Sequence, residues 1–170
     1  MAEIYKIGSD DLIDRVSTFG GRNLIKNSNA VASTTNASAW GYSIWRLEDP
    51  ACLKVGETLV ASADITPGAS NTWTAATFYL YNASADDGAR NKSATVLGDI
   101  VNGRGSAILT VNSNYTNYTD LLIYYGTAGQ CTGHSGTITN VKLERGNKPT
   151  QWTPAPEDLV TVSSTTLNIY

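Results

Sequence analysis

From Gly21 onward the apolar side chains fall in short runs of period two, cut by turn-forming residues. That period belongs to strands, whose successive side chains point to opposite faces. Seven segments read this way: Trp40 to Leu47, Glu57 to Ile65, Trp73 to Tyr81, Ser93 to Val101, Gly105 to Val111, Thr119 to Tyr125 and Thr137 to Arg145. Turn chemistry separates them. Pro67-Gly68 follows Ile65, Asp87-Gly88 sits in the polar stretch from Asn82 to Lys92, and Asn102-Gly103 falls between two β-branched runs. An Asn-Gly pair in that setting is a strong hairpin signal, because both residues tolerate the left-handed backbone a tight hairpin requires. Before Gly21 the period is helical. Ser9 can cap a helix running to Gly20, Asp10 and Asp11 suit its first turn, and Leu12, Ile13 and Val16 share one face. So short a helix must dock its apolar face, either on its own domain or on a partner chain.

The pattern predicts an all-β, antiparallel β-sandwich of the jelly-roll kind with a short N-terminal helix. Residues 1–20 read as a linker with that helix, 21–158 as the sandwich, and 159–170 as a tail or a last strand. Parity assigns faces within the strands. Phe78 and Leu80 share one side with Thr74 and Ala76, which makes it the core side. Thr77, Tyr79 and Tyr81 then point the other way, with Trp73. Trp40 and Tyr42 share a face with Ile44, and Trp45 shares one with Leu47. Tyr124 and Tyr125 must split, one ring inward and one outward.

Composition narrows the function. The net charge is −3, and the 12 Lys and Arg residues are dispersed, which disfavours nucleic acid and anionic membranes as partners. No apolar run reaches the roughly 18 residues of a spanning helix, and the acidic first 20 residues do not read as a signal peptide. Asn-x-Ser/Thr triplets at Asn36, Asn82, Asn91, Asn114 and Asn117 arise easily in a chain so rich in these residues. Cys52 and Cys131 read as buried free thiols, with a cross-sandwich disulfide as the alternative.

Catalytic chemistry finds little foothold. His134 is the sole histidine, set in a Gly-rich loop beside Ser135 with no carboxylate near in sequence. Cys131 and His134 have metal-like spacing, but only Cys52 remains to join them and a structural zinc site needs four ligands. Asp86-Asp87 and Glu48-Asp49 are adjacent acids in turns, unlike the opposed carboxylates of a glycosidase. The expectation is that the chain is not an enzyme and needs no cofactor.

Two segments bracket the strand-rich region: Gly21-Arg22-Asn23-Leu24-Ile25-Lys26-Asn27-Ser28, and Ile138-Thr139-Asn140-Val141-Lys142-Leu143-Glu144-Arg145-Gly146 followed by Pro149-Thr150-Gln151-Trp152-Thr153-Pro154-Ala155-Pro156-Glu157-Asp158. In the second, Val141 and Leu143 face inward, Lys142 and Glu144 outward, and Trp152 folds back as an apolar lid. Together the segments resemble the carbohydrate-binding-module-like jelly rolls of tail, baseplate and receptor-binding proteins of bacteriophages infecting Gram-positive bacteria. The resemblance spans residues 21–158. It implies a virion protein whose partners are a host cell-surface or cell-wall polysaccharide and other tail or baseplate proteins, itself included as a homo-oligomer. Related jelly rolls often carry a structural calcium, for which the paired acids offer oxygens without an EF-hand spacing.

Sugar binding needs flat apolar rings against pyranose C–H faces, with polar groups to fix orientation. Trp73, Tyr79 and Tyr81 on one outward face, Trp40 and Tyr42 near them, and Tyr115 and Tyr118 in an amide-rich loop are the candidate ligand-binding residues. The plain alternative for each ring is cross-strand packing. At the level of the whole chain the alternatives are a purely structural, oligomerising tail module and the accessory domain of a cell-wall or polysaccharide hydrolase.

Overall fold

A computed structural model of the chain describes residues 21–69, 72–81, 95–112 and 118–159. Among these, eight strands form: β1 (Ala32–Thr34), β2 (Tyr42–Arg46), β3 (Thr58–Pro67), β4 (Ala75–Tyr81), β5 (Thr95–Val101), β6 (Arg104–Thr110), β7 (Asp120–Tyr124) and β8 (Gly136–Arg145). All pair antiparallel in one sheet of order β1-β8-β3-β6-β5-β4-β7-β2. Two 3-10 turns, Pro50–Cys52 and Pro156–Leu159, are the helical content of the described residues. Each of the seven strands expected from the sequence is present, and β1 is added. The expected helix from Ser9 to Gly20, the tail beyond Leu159 and Tyr115 lie outside the described residues.

The sheet curls almost into a barrel. Asn102 and Gly103 both take left-handed backbone, at φ 51° and 78°, as the tight β5–β6 hairpin demands. The two strands then cross so closely that a Cβ on Gly98 would lie 2.1 Å from the Ser106 carbonyl oxygen. Only glycine permits that approach. On the far side, residues 24 and 25 span from β8 to the end of β2. Leu24 N–H donates to Leu143 O at 2.8 Å, Glu48 N–H donates to Leu24 O at 3.0 Å, and Ile25 bridges Leu47.

The core lies inside this curl. Ala76, Phe78 and Leu80 of β4 and Leu121 and Ile123 of β7 are sealed, as are Leu59, Ala61 and Ile65 of β3, Leu109 of β6 and Ile138, Val141 and Leu143 of β8. Parity therefore places the inward side of β4 where the sequence reading put it. Burying one such large side chain contributes about 1.5–3 kcal/mol.

The two bracketing segments meet, with Asn23 at their junction. Its amide donates to Ser28 Oγ (2.9 Å), Val141 O (3.0 Å) and Thr153 O (3.0 Å), while its oxygen accepts from Ile25 N–H (3.1 Å) and Leu143 N–H (3.2 Å). The half-buried Trp152 donates its indole N–H to the same Ser28 Oγ at 3.1 Å, and Arg22 pairs with Glu157. Lys142 and Glu144 depart from expectation. They leave the core side as alternation requires, yet their side chains are 0% and 1% exposed. The closing segment lies over them. Lys142 Nζ donates to Thr150 Oγ1 (2.7 Å) and Gln151 O (2.9 Å) and sits 3.3 Å from Glu144 Oε2. Glu144 in turn accepts from Thr150 N–H (2.7 Å) and Oγ1–H (2.6 Å).

Candidate ligand-binding face

The outer face of β2, β7 and β4 carries most of the aromatic side chains singled out in the sequence. Register explains why. Tyr42 pairs with Tyr124, and Ile44 with Leu122, which pairs in turn with Tyr79; Arg46 pairs with Asp120, which pairs with Tyr81. Paired residues point to the same side of a sheet, so these side chains form adjoining rows. Trp45 and Leu47, of the opposite parity, are in the core.

The rings make a connected chain. Trp40 stands edge-on to Tyr124 with centroids 6.4 Å apart, and Tyr42 does so at 5.3 Å. Tyr124 continues to Tyr79 at 6.4 Å, and Tyr79 to Tyr81 at 5.8 Å. Exposure grades along it: Trp40 is 63% exposed and Tyr42 42%, against 7% for Tyr124 and 9% for Tyr79. Burial, helped by neighbouring Tyr79 and Tyr42, pushes the Tyr124 hydroxyl up to about 12. Exposed Ile44 adjoins the open end.

Trp40 is not on a strand, but its position is fixed. Tyr125 N–H donates to Gly41 O at 3.0 Å, Cys131 N–H to Ala39 O at 3.1 Å and Gly41 N–H to Ser38 O at 2.9 Å. The indole also lies on Gly129, whose φ of 82° suits glycine and where a Cβ would come 3.4 Å from the ring. At the other end Arg46 reaches Asp120 Oδ1 at 3.4 Å, and Thr119 Oγ1–H donates to Asp120 Oδ2 at 2.6 Å. The Asp120 carboxylate is buried while the Arg46 side chain is largely exposed.

The structure regroups the sequence candidates. Trp40, Tyr42, Tyr79 and Tyr81 come together, although Tyr79 is buried by its neighbours and Tyr81 half-buried, so neither offers the free ring face expected of it. Trp73 does not belong to this face. β4 begins at Ala75, so strand parity does not reach back to it. Trp73 is buried instead, edge-on to Tyr125 at 6.2 Å and stacked on His134, with its indole N–H donating to Ser135 O at 3.1 Å. Tyr118 is also buried, in the core just before β7, its hydroxyl accepting from Asn112 N–H at 3.3 Å. Tyr124 is the ring that links the face, and sequence alone did not decide its side. Beyond Asp120 at its start, β7 is apolar on both faces, so alternation there has no repeating polar row to orient it. Tyr125 takes the inner side, its hydroxyl 2.8 Å from Ser43 Oγ.

Both cysteines are free thiols, Cys131 buried and its thiol pushed up by burial, Cys52 half-buried. Among the described residues no group of three or more His, Cys, Asp or Glu gathers as a metal site, and no helix is long and apolar enough to cross a membrane.

No protein-family model matches the sequence, and no curated protein does. Among solved structures the fold is similar to the tripod (BppUct-A-L) from the baseplate of bacteriophage Tuc2009, with a TM-score of 0.51 and 17% identity. The match covers 82% of this chain and 60% of that one. At that identity the likeness is one of fold.

Proposed function

We propose that this chain is a carbohydrate-binding module of a phage tail or baseplate, a jelly-roll relative that holds host cell-surface saccharide without acting on it chemically. The carrying observation is the pair of exposed rings, Trp40 and Tyr42, held at the open end of a rigid aromatic row. Large apolar rings in water are stabilised by a flat apolar partner, and the C–H face of a sugar is one. The row behind them fixes their angles, so little side-chain entropy is lost on binding. The fold likeness to a phage baseplate tripod supports placing the module in a virion tail, beside other tail proteins and in several copies. A weak single site suffices there, because display in many copies raises effective concentration.

A second reading, a structural module that contacts protein, is favoured by one separate observation. Leu97, Val101 and Ile108 are exposed together around a groove that Val60 and Pro149 also line. The test is a cell-wall pull-down and a glycan array with the full chain. Trp40→Ala and Tyr42→Ala should abolish retention while leaving the folded state intact, and Ile108→Asp should not. Retention unchanged by both ring variants, with self-association lost in Ile108→Asp, would replace the first reading by the second.

A further inference from the structure

Beside the turn on which the Trp40 ring rests lies an open cleft of about 270 Å³, lined by Thr72, Trp73, Thr127, Gln130 and His134 among others. Its described walls offer hydroxyls, an amide and an imidazole, with no lysine, arginine or carboxylate among those described residues.

His134 is held in one orientation here. Its Nδ1 lies 2.5 Å from the Tyr125 carbonyl oxygen, and since a carbonyl only accepts, Nδ1 carries the proton. In the uncharged tautomer with that proton, Nε2 is an acceptor, and no hydrogen bond to it forms among the described residues. Trp73 lies nearly parallel to the imidazole, centroids 6.1 Å apart and planes 6° apart, and its own N–H is occupied by Ser135 O. Gly126 makes the room, since a Cβ there would come 2.6 Å from His134 Nδ1. The acceptor is thus placed before any ligand arrives.

The cleft and the exposed rings share one turn. Gly129 lies against the Trp40 indole, while Thr127 and Gln130 line the cleft. Gly129 and Thr127 are two residues apart, a span of at most about 7 Å.

The geometry points to this cleft as a second subsite for a neutral saccharide chain, with one sugar ring on Trp40 and a neighbouring ring placing hydroxyls against Thr72, Gln130, Thr127 and His134 Nε2. A sugar hydroxyl donates and accepts at once, so it can give its proton to Nε2 and accept from the Gln130 amide. Phosphate or carboxylate would find no lysine or arginine among the described lining residues. The inference rests on the saccharide reading of the Trp40 face.

The test is calorimetric titration of the full chain with neutral glucose, galactose, rhamnose and N-acetylglucosamine oligomers, from monosaccharide to hexasaccharide. In the oligomer series that binds, affinity should rise with length. Gln130→Ala and Thr72→Val, both at exposed positions, should lower affinity for the longer members by about tenfold, as expected for one or two lost neutral hydrogen bonds, and leave the monosaccharide unchanged. Trp40→Ala should abolish binding at every length. If Trp40→Ala abolishes binding but the two cleft variants bind long oligomers as the parent does, the second subsite is wrong and the face reading stands. Binding insensitive to Trp40→Ala, or no binding by any member, overturns both.

Discussion

Replacing Lys142 by methionine keeps the length of the side chain and removes a charge from a place that water does not reach. In the parent protein the ammonium meets Thr150 Oγ1, Gln151 O and Glu144 Oε2, and neither charged side chain is more than 1% exposed. Methionine leaves the Glu144 carboxylate enclosed, with Thr150 as its remaining donor. Removing one partner of a buried pair costs about 3–5 kcal/mol, because the surviving charge keeps its desolvation penalty and loses its compensation. The double change Lys142→Met/Glu144→Leu removes both charges. It leaves the Thr150 donors and the Gln151 carbonyl to find other partners, at about 1–3 kcal/mol for each group that stays unsatisfied. The closing segment can shift to meet water, so the double variant should be no less stable than the single one. Burial pushes the Lys142 ammonium below its usual value, with Glu144 opposing. Just below pH 10.5 the folded state therefore holds fewer protons here than the unfolded state, and this group's contribution to stability rises with pH. The methionine variant should lack that rise. Urea unfolding of the parent, both single variants and the double variant, over a pH series, measures all of this. A loss below about 1 kcal/mol in Lys142→Met, the range of exposed ion pairs, would mean that water enters beneath the closing segment and that the argument fails.

Gly98→Ala should destabilise by about 1–3 kcal/mol or prevent folding, since the added Cβ meets the Ser106 backbone and not a side chain that could swing away; thermal unfolding checks it. Tyr124 should resist ionisation until about pH 12. Its folded value lies above the unfolded 10.0, so its contribution is complete below pH 10.0 and is lost as pH rises through the folded value; the phenolate absorbance that the parent shows and Tyr124→Phe lacks should appear with the alkaline unfolding transition. A thiol reagent should modify Cys52 in the native protein and Cys131 only on unfolding, with two thiols counted in denaturant; a count of none would mean a disulfide.

Strands and turns were legible because period two and Asn102-Gly103 are local signals, and Phe78 and Leu80 showed the inner side of β4 without help from the rest of the chain. Exposure was less so, since it depends on what covers a face. Lys142 and Glu144 read as solvent-facing by charge, yet the segment that buries them follows six to nine residues later and its path is a tertiary fact. Tyr79 pointed outward as alternation requires and was then covered by rings from β7 and its own strand. Trp73 failed for a different reason: the strand starts two residues after it, and strand ends are where parity ceases to apply. β1 spans three residues, too few for a period to show.

The junction at Asn23 has a mechanical consequence. Arg22 and Glu157 touch, so tension applied between those two points pulls them straight apart and peels the two segments from each other. The Asn23 and Trp152 bonds would then open in succession, like a zip, before any strand pair is sheared along its length. A module tethered through both points would yield at this clasp first, at modest load, with the ring-bearing face still folded.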